Sequence, residues 1–92
     1  MSFAIEWADR AERQLDKLAR RNPEIAQDIF EKVEWLAKNL AAIDHEKMHG
    51  HAEQSLRSGQ YRILYTIDRA KERIVIEDVD KHAAAYRKLK RR

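Results

Sequence analysis

The stretch SLRSGQYRILYTID (Ser55–Asp68) constrains this chain more than any other. Leu56, Tyr61, Ile63, Tyr65 and Ile67 recur with the period of two expected of strands buried on one face only. Ser58 and Gly59 interrupt the run and suit a two-residue hairpin turn. A second run, IVIEDVD (Ile74–Asp80), follows the turn-like RAKE (Arg69–Glu72). A sheet that is apolar on one face needs a second layer to cover it. The residues upstream supply that layer.

FAIEW (Phe3–Trp7) alternates as a short strand. In ADRAERQLDKLARR the residues Ala8, Ala11, Leu15, Leu18 and Ala19 keep helical spacing. Asn22 and Pro23 then open a second helix. Asn is a good N-cap, Pro suits the first helical position, and Glu24 adds a negative charge to the first turn. This helix is expected to run to about Leu40, with Ile25, Ile29, Val33, Leu36, Ala37 and Leu40 as its buried stripe. Phe30 and Trp35 widen the stripe or mark a contact surface. So short a joint makes an antiparallel helical hairpin. After the polar connection AAIDHEKMHGHAEQ come strands at Ser55 to Arg57, Gln60 to Asp68 and Arg73 to Val79, then a short helix from His82 to Leu89. The expectation is one α+β domain over residues 1–92. It has a small antiparallel sheet, the helical hairpin on one face, and the order β-α-α-β-β-β-α.

A register follows from the turns. With Ser58-Gly59 as the first turn, Arg57 pairs with Gln60 and Ser55 with Arg62. With Arg69–Glu72 as the second, Asp68 pairs with Arg73 and Arg62 with Val79. Paired residues share a face. Leu56, Tyr61, Ile63, Tyr65, Ile67, Ile74 and Ile76 then form the helix-covered face. Ser55, Arg57, Gln60, Arg62, Leu64, Thr66, Val79 and Lys81 form the other. Asp78 and Asp80 fit the core face poorly, so the last strand is expected to bulge or end near Asp78. Arg57, Arg62 and Lys81 converge, and three cations repel by about 1 kcal/mol per pair at an effective dielectric of 20 or more. A compensating anion is expected, either a carboxylate such as Glu77 or a phosphate.

The charge distribution points the same way. Of 19 Lys and Arg, six fall in the last twelve residues, where there is no acid, and the first eighty residues carry a net −3. Such a basic cluster attracts polyanions, nucleic acid above all, or forms a solvated tail. There is no cysteine, hence no disulfide framework and no thiolate chemistry. The N-terminal MSFAIEWADR carries acids and no long apolar run, unlike a signal peptide. No run approaches the roughly 20 apolar residues of a membrane span. A cytoplasmic protein with no membrane partner is the expectation. His45, His49 and His51 share a loop without cysteine or an evident carboxylate partner, so no metal and no cofactor is assigned.

The same residues resemble a known family. LR-x-x-x-YR-x-x-Y (Leu56 to Tyr65), followed by VDKH (Val79 to His82) and Tyr86, is similar to the RelE/ParE superfamily of toxins from type II toxin–antitoxin pairs. KMHG (Lys47–Gly50) matches a motif that often precedes the sheet. The resemblance implies a RelE-like fold and a cognate antitoxin partner. For RelE-like members it implies ribosome-dependent endonucleolytic cleavage of mRNA, by metal-independent attack of the ribose 2′-OH on the adjacent phosphate. ParE-like members share the fold and poison DNA gyrase instead. A third possibility is an inactive module that binds RNA or antitoxin on the same face.

Carried over by position, Arg62 contacts the scissile phosphate, and Arg57 is a second phosphate contact or a brace. His82 stands where the best-known members have arginine and serves as proton donor to the leaving oxygen. Tyr86 orients the substrate or stacks on it. Lys47, Lys81, Arg87, Lys88 and Lys90 are the implied RNA contacts. The lysines that the best-known members carry before LR are Glu53 and Ser55 here, leaving Lys47, Lys81 or Glu53 as candidate bases. Tyr61 and Tyr65 are read as core packing, and Trp35 as core or edge contact unless an exposed ring receives an antitoxin helix.

Overall fold

A computed structural model describes residues 3–40 and 54–81. The first elements are β1 (Ala4–Trp7), α1 (Asp9–Arg21) and α2 (Pro23–Asn39). They are followed by β2 (Gln54–Ser58), β3 (Tyr61–Asp68) and β4 (Arg73–Lys81). The expected C-terminal helix, the KMHG motif and the histidine-bearing loop lie outside the described residues.

The helical hairpin turns on one residue. Asn22 ends α1, its N–H donating to Leu18 O (2.7 Å), and opens α2, its side-chain Oδ1 accepting from Ile25 N–H (3.4 Å). Asn22 is extended at φ −152°, so it breaks the helical path, and Pro23 restarts it with a pre-set φ. The first turn of α1 carries Asp9 and Glu12 and the last carries Arg20 and Arg21, complementing the helix dipole at both ends.

The sheet order is β1-β4-β3-β2. β2–β3 and β3–β4 are antiparallel, whereas β1 runs parallel to β4, which makes the sheet mixed. Phe3, just before β1, and Ile5 and Trp7 within it pack against the core, with Ile5 opposite Ile74 and Trp7 opposite Ile76. The hairpin lies on this face. Ala11, Ile29, Val33, Leu36, Ala37 and Leu40 meet Ile63, Tyr65, Ile74, Ile76 and Val79, all buried. Full burial of each large aliphatic contributes about 1.5–3 kcal/mol. Trp35 and Phe30 do not join this layer. They are 45% and 40% exposed on α2, and Lys32 Nζ sits 4.8 Å from the centre of the Trp35 ring.

Two details of the ladder differ from the expected register, each for a local reason. The β2–β3 turn is Gly59-Gln60, closed by Ser58 opposite Tyr61, not Ser58-Gly59. Gly59 has φ +59°, and only the first central residue of this turn takes a positive φ, so the glycine must stand first. Arg57 therefore pairs with Arg62 rather than with Gln60, and Ser55 with Leu64 rather than with Arg62. The shift is by two positions, so the face assignment of both strands survives. β4 bulges. Asp68 to Tyr65 pair with Arg73 to Ile76 as expected, but from Leu64 onward the partners are Asp78, Val79, Asp80 and Lys81.

Candidate nucleic-acid interface

The bulge decides what faces the arginines. On an unbroken ladder Val79 stands opposite Arg62, and Lys81 shares its face. One extra residue in β4 moves Val79 opposite Ile63, where it is buried, and sets Asp80 opposite Arg62. Lys81 then pairs with Tyr61 on the helix side. There it lines a groove of about 430 Å³ together with Arg21, Asn22, Ile25 and Tyr61. Two expectations are thereby corrected: Lys81 does not converge with Arg57 and Arg62, and Val79 belongs to the core.

Arg57 and Arg62 do share the face turned away from α1 and α2, side by side across β2 and β3. Directly opposed like charges destabilise a strand pair unless their head groups separate. Here each is drawn a different way. Arg57 Nε donates to the carbonyl of Gly59 (3.1 Å), bracing the hairpin turn. Arg62 Nη1 donates to Ser55 Oγ (3.1 Å), two residues along β2. Arg57 is exposed and Arg62 half-buried. The register sets a carboxylate residue, Asp80 rather than Glu77, opposite Arg62, and the Asp80 carboxylate accepts from the Lys81 N–H (2.8 Å). Glu77 accepts from Thr66 Oγ1 (3.1 Å), further from the turn on the same face. Near the β2–β3 turn this face thus carries Arg57 and Arg62 against Asp80, with Glu77 further along, and toward its other end Arg73 with Glu6 and Asp68.

Asp78, the residue that fitted the expected core poorly, is 1% exposed and reaches α1, where Gln14 Nε2 donates to its Oδ1 (2.6 Å). Asp80 and Gln14 are the contributors that sequence reasoning missed, whereas Ser55 was expected on this face beside Arg62 and accepts from it. The signal was present in DVD, whose two acids flank an apolar residue in a strand otherwise patterned for burial. Tyr61 and Tyr65 are on the core face as expected. Tyr65 is fully packed, and burial pushes its phenol up to about 12. Lys47, His82, Tyr86, Arg87, Lys88 and Lys90 lie outside the described residues, as does Glu53. Among the described residues no group of acids and histidines could hold a metal, and no helix is long and apolar enough to cross a membrane.

Residues 5–86 match the family model described as the ParE toxin of the type II toxin–antitoxin system parDE. Among solved structures, the toxin–antitoxin complex RelBE2 of Mycobacterium tuberculosis aligns at 26% identity and TM-score 0.73, over 89% of this chain and 100% of that one. A double mutant of the Escherichia coli toxin RelE in the free state aligns at 21% and 0.72, over 94% and 90%. A YoeB dimer from Staphylococcus aureus aligns at 18% and 0.70, over 89% and 99%. The last two likenesses are of fold. No curated protein sequence matches the chain.

Proposed function

The chain belongs to the ParE toxin family of type II toxin–antitoxin systems, within the RelE/ParE superfamily, and on that premise we propose that it is a RelE-like toxin that cleaves mRNA on the ribosome. The observation that carries this reading is Arg62. It is held by Ser55 on the face turned away from α1 and α2, with Arg57 directly across from it. A guanidinium in that position suits two oxygens of a backbone phosphate.

The reaction needs no metal. The ribose 2′-oxygen attacks the adjacent phosphorus and gives its proton to a base. The bond from phosphorus to the 5′-oxygen breaks, and an acid protonates the departing oxygen. The products are a 2′,3′-cyclic phosphate and a 5′-hydroxyl. Negative charge grows on the non-bridging oxygens in between, and a fixed guanidinium stabilises that charge most where it is greatest. His82 is the proposed acid and Tyr86 the proposed substrate-orienting residue. Lys47, Arg87, Lys88 and Lys90 supply further backbone contacts. Lys81, on the other face, is not a candidate base, which leaves Lys47 or Glu53. The cognate antitoxin is the expected protein partner, since the M. tuberculosis RelBE2 structure is a complex of toxin and antitoxin.

A second reading is the ParE-like one, a poison of DNA gyrase without nuclease chemistry. The family match favours it, and so does the charge balance of the arginine face, where Asp80 replaces the third cation. Induction followed by mapping of mRNA 5′ ends separates the two. Codon-phased cuts that vanish in Arg62→Ala support the nuclease. Intact mRNA with gyrase–DNA adducts supports the other reading.

A further inference from the structure

The bulge in β4 is held from the opposite layer of the molecule. Gln14, on α1, uses both ends of its amide. Nε2 donates to Asp78 Oδ1 (2.6 Å), and Oε1 accepts from the Val79 N–H (2.7 Å). These are the residues at which the ladder resumes after its shift. The Arg10 guanidinium, one helical turn earlier, stands 3.7 Å from the same carboxylate oxygen.

Each contact answers a need that the bulge creates. An extra residue in one strand disrupts the ladder and turns a backbone group away from its partner strand. A buried N–H then requires another acceptor. A carboxylate that is 1% exposed requires donors. A primary amide offers one donor and one acceptor side by side, which a carboxylate, an ammonium or a guanidinium cannot. With the ladder unbroken, Asp78 falls opposite Ile63 in the apolar layer and Val79 opposite Arg62.

We propose that Gln14 is the positioning residue of the arginine face. By binding Asp78 and Val79 together it locks the one-residue shift that sets Asp80, and neither Val79 nor Lys81, beside Arg62. The consequence for phosphate binding rests on the reading of Arg62 given above, whereas the register claim stands without it.

The test compares the full chain with Gln14→Glu and with the double variant Gln14→Glu/Asp78→Asn, by amide exchange and cross-strand NOEs. In the unmodified chain Val79 exchanges slowly and Arg62 shows NOEs to Asp80. Gln14→Glu sets two carboxylates together, so Val79 protection falls at least about tenfold and the Arg62–Asp80 NOEs fade. In the double variant the polarity is reversed: the amide introduced at 78 donates to the carboxylate introduced at 14, which still accepts from Val79. Protection returns to within about threefold and the NOEs reappear. If the single variant fails to fold, the double variant decides alone. A single variant that keeps the native NOEs, or a folded double variant that does not regain them, overturns the proposal. Oligonucleotide affinity measured on the same samples separates the two readings. Register lost with affinity unchanged upholds Gln14 and sinks the phosphate role of Arg62.

Discussion

Arg57 and Arg62 are direct partners across an antiparallel strand pair, yet their guanidinium groups are held by different acceptors, Gly59 O and Ser55 Oγ. The two arginines therefore have unequal tasks. Arg57 is exposed and tied to the turn that follows it, whereas Arg62 is half-buried near the middle of the sheet and faces Asp80. Arg62→Ala is expected to lower mRNA cleavage about 10²–10³-fold, the range for removing one fixed donor from a developing oxyanion. Arg57→Ala is expected to lower it less than about tenfold, and to cost about 0.5–1.5 kcal/mol of stability through the lost turn contact. Primer extension on a reporter mRNA and thermal melts of both variants check this. Equal losses of cleavage would show that the strand pair acts as one phosphate clamp.

Asp80 is expected to restrain the face it stands on. A carboxylate beside Arg62 offsets part of the attraction between that guanidinium and a phosphate. Its removal in Asp80→Asn strengthens binding of a single-stranded oligoribonucleotide about three- to fivefold, the value of one charge about 4–6 Å away in water-like surroundings. The slope of log affinity against log salt becomes steeper by up to about 0.7, since one more phosphate charge is neutralised. Fluorescence anisotropy at several salt concentrations measures both. Weaker binding in Asp80→Asn would mean that the carboxylate's main effect is to hold Arg62 in place.

The periodicities of the sequence carried the architecture well, because they report burial. Alternation in Ser55–Asp68 placed Ile63 and Tyr65 under the helices, and the Asn22-Pro23 pair marked the joint between α1 and α2 to the residue. The parallel edge pairing of β1 is a property of topology, which alternation does not encode. The site was less legible because it depends on single-residue steps. Moving the turn from Ser58-Gly59 to Gly59-Gln60 changed the partner of Arg57. One bulged residue exchanged Lys81 for Asp80. Both steps are set by groups outside the local pattern: a positive φ that only the first turn position takes, and a glutamine on a helix 64 and 65 residues away in sequence from the atoms it binds.

Gly59 tests the turn directly. An added Cβ meets no atom within 4 Å, so Gly59→Ala creates no clash and its cost is that of the backbone alone. Holding an L-residue at φ +59° is expected to cost about 1–2 kcal/mol. For a domain of this size that lowers Tm by about 4–8 °C per kcal/mol. The native register predicts this loss, because Gly59 is then the first central residue of the turn. A variant melting within about 2 °C of the unmodified chain would place the positive φ elsewhere and reopen the Arg57–Arg62 pairing.

Tyr65 gives the fold an alkaline limit. Its phenol is buried between the sheet and α2's apolar stripe, and desolvation raises it from 10.0 to about 12. The unfolded chain releases this proton near pH 10 while the folded chain retains it, so between those values the unfolded state binds fewer protons and stability falls as pH rises. The contribution is fully present below about pH 10 and is lost progressively toward about pH 12, with a span of about 2–3 kcal/mol. Denaturant melts from pH 8 to 11.5 should show this decline, and Tyr65→Phe should flatten it while lowering stability at neutral pH only modestly. Absorbance at 295 nm supplies the independent check, with one tyrosine ionising only as the protein unfolds. Identical alkaline profiles for the two proteins would remove Tyr65 as the cause.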